Sequence, residues 1–156
     1  MARSRLIIPD RDHVVRYVSY SRQARDENDE LVGNGLLSAS LQQKRNETFV
    51  SVNWLEYHQK SAPSLSGDES LKLVRNDLAS AFPPKPTSKA LLAIGNVGQI
   101  KNICTAAGAP VRITHEPTQN NPSHAGIRQL PTEEDELLEA LATEVFIDTI
   151  LAATLT

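Results

Sequence analysis

Thr48-Phe49-Val50-Ser51-Val52-Asn53-Trp54-Leu55 alternates apolar and polar side chains with a period of two. A strand turns successive side chains to opposite faces, so Val50, Val52 and Trp54 share one face and Phe49, Ser51 and Asn53 the other. The first face belongs to a core and the second meets a more polar layer, the pattern of an antiparallel sheet. Glu56, Tyr57 and His58 follow where this strand stops, and strand ends commonly carry function.

Toward the C-terminus, Ser66-Gly67-Asp68-Glu69 fits a capping box, and Leu71, Val74, Leu78 and Phe82 follow at helical spacing. This predicts a helix over 66–82. Pro83-Pro84-Lys85-Pro86 stops it and reads as an extended connector over 83–88. Ala90 to Ile94 is a continuous apolar run, the mark of a buried strand. Asn96 and Gln99 form a cap pair, then Val97, Ile100, Ile103, Cys104 and Ala107 make a helical stripe that Gly108 ends. Pro110 to His115 resumes as a strand. The resulting strand–helix–strand unit, of about 25 residues, is short for a parallel crossover. Thr132 caps a last helix with acids Glu133, Glu134 and Asp135 in its first turn, and Leu137, Leu138, Leu141, Val145, Phe146 and Ile150 face inward.

Toward the N-terminus, Leu36 to Lys44 reads as a short strand, Gly33-Asn34-Gly35 as a break, and Asp26 to Glu30 as a charged turn. Val14 to Ser21 is rich in β-branched and aromatic residues and predicts a strand. Leu6 to Ile8 starts another that Pro9 ends. The fold expected is α+β, one domain over 1–156 with a mostly antiparallel sheet. Residues 1–58 are its strand-rich half, and 89–156 hold the strand–helix–strand unit and a C-terminal helix.

With 156 residues, one hydrophobic core is feasible. A net charge of −3 argues against a general nucleic-acid binder, which needs a basic face. Cys104 is the lone cysteine, so no intrachain disulfide and no thiolate zinc cluster can form. The apolar run Leu6-Ile7-Ile8 is too short for a signal-peptide core or a membrane span, and a cytoplasmic setting is expected. No cofactor is expected.

The candidate chemistry centres on Arg112 to Ile127, a predicted strand followed by a polar loop with two prolines. His115 and His124 bracket that loop, and a fold-back would bring both imidazoles into one pocket as acid and base. Glu56, sharing a face with Trp54, and His13, following Asp10 and Asp12, complete the candidate catalytic set of His124, His115, Glu56 and His13. Asp10, Asp12 and His13 are ligand-type side chains, yet an extended segment points them apart, and no metal is expected. Arg16 and Arg112 are candidate anion-binding residues, because a guanidinium grips phosphate with two parallel hydrogen bonds. Gly95-Asn96-Val97-Gly98, at a helix start, is a candidate phosphate cradle lacking a full nucleotide motif. Cys104 reads as a buried thiol. The segment Asn121-Pro122-Ser123-His124-Ala125, ahead of an acid-start helix, resembles one in short bacterial proteins; the resemblance implies no activity.

No complete catalytic motif is present. The first expectation is a non-catalytic interaction or accessory subunit of a larger cytoplasmic assembly, with a protein partner or a second copy of the chain. The alternative is a small histidine-dependent hydrolase or transferase acting on a nucleotide or phosphoester. The subunit needs a contiguous exposed apolar patch. The enzyme needs His13, His115 or His124 to meet Glu56 or an arginine in one cleft.

Overall fold

The computed structural model describes residues 6–43, 47–132 and 135–155. In chain order the elements are β1 (His13–Val18), β2 (Gln23–Arg25), β3 (Leu31–Leu36), β4 (Phe49–Trp54), α1 (Gly67–Ala81), β5 (Leu91–Asn96), α2 (Val97–Ala106), β6 (Arg112–His115), β7 (His124–Arg128), α3 (Asp135–Ala140) and β8 (Asp148–Leu151). Six strands form one sheet in the order β6-β7-β4-β1-β5-β8, and every pairing in it is antiparallel. β2 and β3 form a separate hairpin. The fold is α+β, as the sequence predicts.

Helices cover both faces of the sheet. On one face Val14, Val18, Val50, Val52, Trp54, Ile113 and Ile127 meet Ile100 and Cys104 of α2 and Leu137 and Leu138 of α3. On the other, Val15 and Leu92 meet Leu71, Val74 and Leu78 of α1. The period-two reading of β4 holds: Val50, Val52 and Trp54 lie together in the larger core. The two predicted caps also form. Ser66 accepts from Glu69 N–H while the Glu69 carboxylate accepts from Ser66 N–H. Asn96 accepts from Gln99 N–H at the start of α2.

The strand–helix–strand unit is not a local crossover. β5 and β6 run the same way, yet β1, β4 and β7 lie between them. Four strand spacings are roughly 19 Å, and the ten residues of α2 supply about 15 Å, so the helix carries the chain across one sheet face.

Four expectations are corrected. Leu36 ends β3 and residues 37–43 are not a strand; Ser38–Leu41 is a 3-10 turn with Ser40 and Leu41 buried. Gly33-Asn34-Gly35 is no break but part of β3, its glycines at positive φ beside a register shift in the hairpin. The proline connector is not extended: Lys85 N–H donates to Phe82 O, and its ammonium lies over the Tyr17 and Phe82 rings. The last helix stops early. It passes into a π turn, Leu141–Val145, and Ile150 sits on β8, an edge strand paired to β5. The cap reading of Thr132 rests on Glu133 and Glu134, which, like Lys44, lie outside the described residues.

The two sheet edges differ. β6 is extended outward by the N-terminal segment, where Ile8 N–H donates to Ile113 O and His115 N–H to Leu6 O. Exposed Ile147 immediately precedes β8 and exposed Leu151 ends it, and exposed Leu31 and Val32 lie on the neighbouring β3.

Candidate functional site

Arg16 opens a fork in the sheet. Among the described residues β1 and β4 pair at Val14–Trp54 and Val15–Asn53 and then part. The Arg16 side chain occupies the gap, its Nη1 donating to Ser51 O at 2.6 Å and its Nε to Ser40 O at 2.7 Å. No carboxylate among the described residues lies within ion-pair distance of Arg16; Glu47 acts on it only at longer range. Burial without that partner pushes the guanidinium down to about 10, so it stays charged at neutral pH.

A cavity of about 410 Å³ opens from this fork. Among the described residues Arg16, Arg22 and Lys85 line it with positive charge, against the single carboxylate of Glu47. Its floor comes from Ser51 and Asn53 of β4, and its far wall from Asn121 and His124. His124 is 8 % exposed. Its Nδ1 lies 2.8 Å from Glu116 O and its Nε2 3.3 Å from Ser51 Oγ. A carbonyl only accepts, so Nδ1 carries a proton, and Nε2 is the ring nitrogen turned to the Ser51 side. The Ser51 hydroxyl donates to Glu47 Oε2 at 3.0 Å.

The loop between β6 and β7 is held rigidly against this wall. Arg128 grips Glu116 with two bonds of 2.6 Å, and Thr114 Oγ1 adds a third donor at 2.9 Å. Asn121 pairs with Thr118 across the turn. Asn121 is 1 % exposed. Its Oδ1 accepts from Asn53 Nδ2 at 2.7 Å, while its Nδ2 has no partner among the described residues. Behind it a buried polar chain runs from Asn53 Nδ2 to Ser123 Oγ (2.8 Å), from Ser123 Oγ–H to Asp77 Oδ2 (2.5 Å), and from His58 Nε2–H to the same Asp77 oxygen (2.8 Å).

The histidines do not converge. His115 pairs with Ala125 across β6 and β7, so His124, one residue earlier, projects from the opposite face. His115 contacts the Trp54 and Tyr57 rings at 5.2 and 4.9 Å and donates through Nε2 to Pro122 O at 2.7 Å. The expected fold-back of the loop onto both imidazoles is therefore absent. His13 and Glu56 do meet: the carboxylate takes both the His13 N–H and Nδ1–H, each at 2.7 Å, at the start of β1 away from the cavity. Arg112 is exposed on β6 and stands outside the cavity. Of the candidate residues, His124 and Arg16 share one cleft.

Three other candidates are taken up by the fold. At the start of α2 the free N–H groups are occupied: Val97 donates to Asp12 O, Gly98 to Asp10 O and Gln99 to Asn96 Oδ1, so no phosphate cradle remains. Asp10 binds Lys101 at 2.7 Å and Asp12 accepts from Trp54 Nε1 at 2.9 Å. No three His, Cys, Asp or Glu side chains among the described residues stand close enough to hold a metal ion. Cys104 is buried, which pushes its thiol up to about 11. No helix of the described residues is long and apolar enough to cross a membrane.

Sequence reasoning missed Ser51, Asn53, Glu47 and Asn121. The polar face of β4 was the available signal for the first two. Asn121 had only its place between two prolines. Compared with known proteins, the chain matches no family model, no curated protein and no solved structure.

Proposed function

We propose that the fork cavity binds a small organic anion, a carboxylate or phosphoester, and that His124 serves as proton acceptor beside it. The observation that carries this is Arg16: a guanidinium desolvated at a cavity wall with no carboxylate in ion-pair reach among the described residues. Holding such a charge costs the fold, and an anion is the partner that repays it. Arg22 and Lys85 add positive potential at the same opening. With His124 Nδ1 donating to Glu116 O, Nε2 is the ring nitrogen left to exchange a proton. This supports the hydrolase or transferase reading, with Arg16 as anion anchor and His124 as base, over the set His13, His115, Glu56 and Arg112, which the cavity does not contain.

The test is a titration of the full chain with glycerol 3-phosphate and, separately, glutarate, followed by ¹H–¹⁵N chemical shifts. Saturable binding is expected for at least one, weakened tenfold or more in Arg16→Gln. Absence of saturation with both, or equal binding by Arg16→Gln, would sink the reading.

A second reading, the accessory subunit or homo-oligomer, draws on the β8 edge and its exposed Ile147 and Leu151 beside Leu31 and Val32. An open strand edge with apolar side chains is a template for pairing. Sedimentation velocity decides the homo-oligomer form: a dimer of the 17.1 kDa chain that dissociates in Ile147→Lys supports it, and a monomer at high micromolar concentration removes it. A cytoplasmic setting remains part of either proposal.

A further inference from the structure

Two residues that line the fork cavity each carry a buried side-chain atom with no partner among the described residues: Glu47 Oε1, an acceptor, and Asn121 Nδ2, a donor. A buried polar atom left unpaired costs more than a typical hydrogen bond returns, so two at one cavity mark where complementary groups belong. Their positions can be read along β4. Glu47 Oε2 accepts from the Ser51 hydroxyl, and Asn121 Oδ1 accepts from Asn53 Nδ2. Ser51 and Asn53 lie two residues apart on one face of the strand, a rise of about 7 Å.

Arg16 and Glu47 in turn bracket a single residue. The guanidinium takes the Ser51 carbonyl and the carboxylate takes the Ser51 hydroxyl. A cation and an anion on either side of one residue, both lining the cavity, suit a ligand that carries opposite charges. Most anions offer Glu47 nothing but repulsion. A ligand with an ammonium beside its carboxylate satisfies both.

We propose that the ligand is an α-amino acid with an acidic or phosphorylated side chain: carboxylate at Arg16, ammonium at Glu47 Oε1, and a side-chain oxygen accepting from Asn121 Nδ2. This rests on the anion-binding reading above and narrows it. The side chain must reach about one two-residue strand step along β4, which favours the length of glutamate or phosphoserine over that of alanine or serine. Arg22 and Lys85, which also line the cavity, offset the second negative charge.

Calorimetric titration of the full chain with four probes tests this: L-glutamate, O-phospho-L-serine, glutarate and N-acetyl-L-glutamate. At least one of the two amino acids is expected to bind. Glutarate and N-acetyl-L-glutamate, which lack the ammonium, are expected to bind at least tenfold more weakly than that amino acid. In Glu47→Gln this preference should collapse toward unity while glutarate binding is retained or improved. Glutarate binding as tightly as the amino acids would overturn the proposal and leave the anion-binding reading standing. Failure of all four probes to bind would overturn this proposal, and the anion-binding reading falls with it when glycerol 3-phosphate also fails to bind. The comparison within the wild-type chain decides the matter even if the variant does not fold.

Discussion

Phe146→Ala is expected to destabilise the protein by about 4 kcal/mol, measured as the shift in free energy of urea unfolding. The Phe146 side chain is fully buried and is the largest such side chain in the core. Its ring lies directly on the backbone of β5: a Cβ added at Gly95 would come within 2.9 Å of Phe146 Cε1. The ring therefore fills a space that glycine makes. The same residue ties three parts of the fold together. Its carbonyl and that of Ala142 accept from Asn34 Nδ2, which joins the π turn to the β2–β3 hairpin. Immediately beyond it the chain enters β8. A loss below about 1.5 kcal/mol would mean that the site collapses onto the cavity and that this packing is not what positions β8.

Asp77→Ala is expected to cost about 3 kcal/mol, because it strips the shared acceptor from a buried and a half-buried donor. Ser123 is 0 % exposed and donates to Asp77 at 2.5 Å, and His58 donates to the same oxygen at 2.8 Å. Asp77 sits on α1, Ser123 at the start of β7, and His58 on the Tyr57–Lys60 turn after β4. One carboxylate thus locks a helix, a turn and the loop that carries Asn121. Asp77→Asn keeps an acceptor oxygen and should lose about 1 kcal/mol. Thermal and urea unfolding of the two variants give the comparison, and equal losses for Ala and Asn would contradict the network's role.

The parts of this fold that were legible are those specified by neighbours in sequence. The alternation of β4, the Ser66–Glu69 box and the Asn96–Gln99 cap each lie within a few residues and form as read. What was hidden depends on distant partners. β7 contains Gly126, against whose backbone the Phe49 ring packs closely, so a residue that reads as a turn marks a close approach between strands. β8 was hidden because Val145, Phe146 and Ile150 fit a helical stripe as well as a turn and a strand, and pairing with β5 decides between them. The candidate site followed the same rule. Arg16 and His124 were recognisable by residue type. The cavity that joins them arises where β1 and β4 part, between segments 35 residues apart at the Arg16–Ser51 bond. That His115 and His124 face away from one another is fixed by the β6–β7 register, which no spacing in the loop reveals.

The claim on which the account turns is that the β1–β4 fork is where this protein meets its ligand. A residue-resolved ¹H–¹⁵N titration with O-phospho-L-serine and with glutarate examines it most directly, with the arginine Nε–H and histidine ring signals recorded alongside the backbone. The account predicts saturable shifts gathered at Arg16 Nε–H, the amides of Ser51 and Asn53, the Asn121 side-chain amide and the His124 ring, with the His13 and His115 rings unmoved. Shifts centred instead on His13 and Glu56, on Gly98 at the start of α2, or on β8 would contradict it, as would the absence of any saturable change.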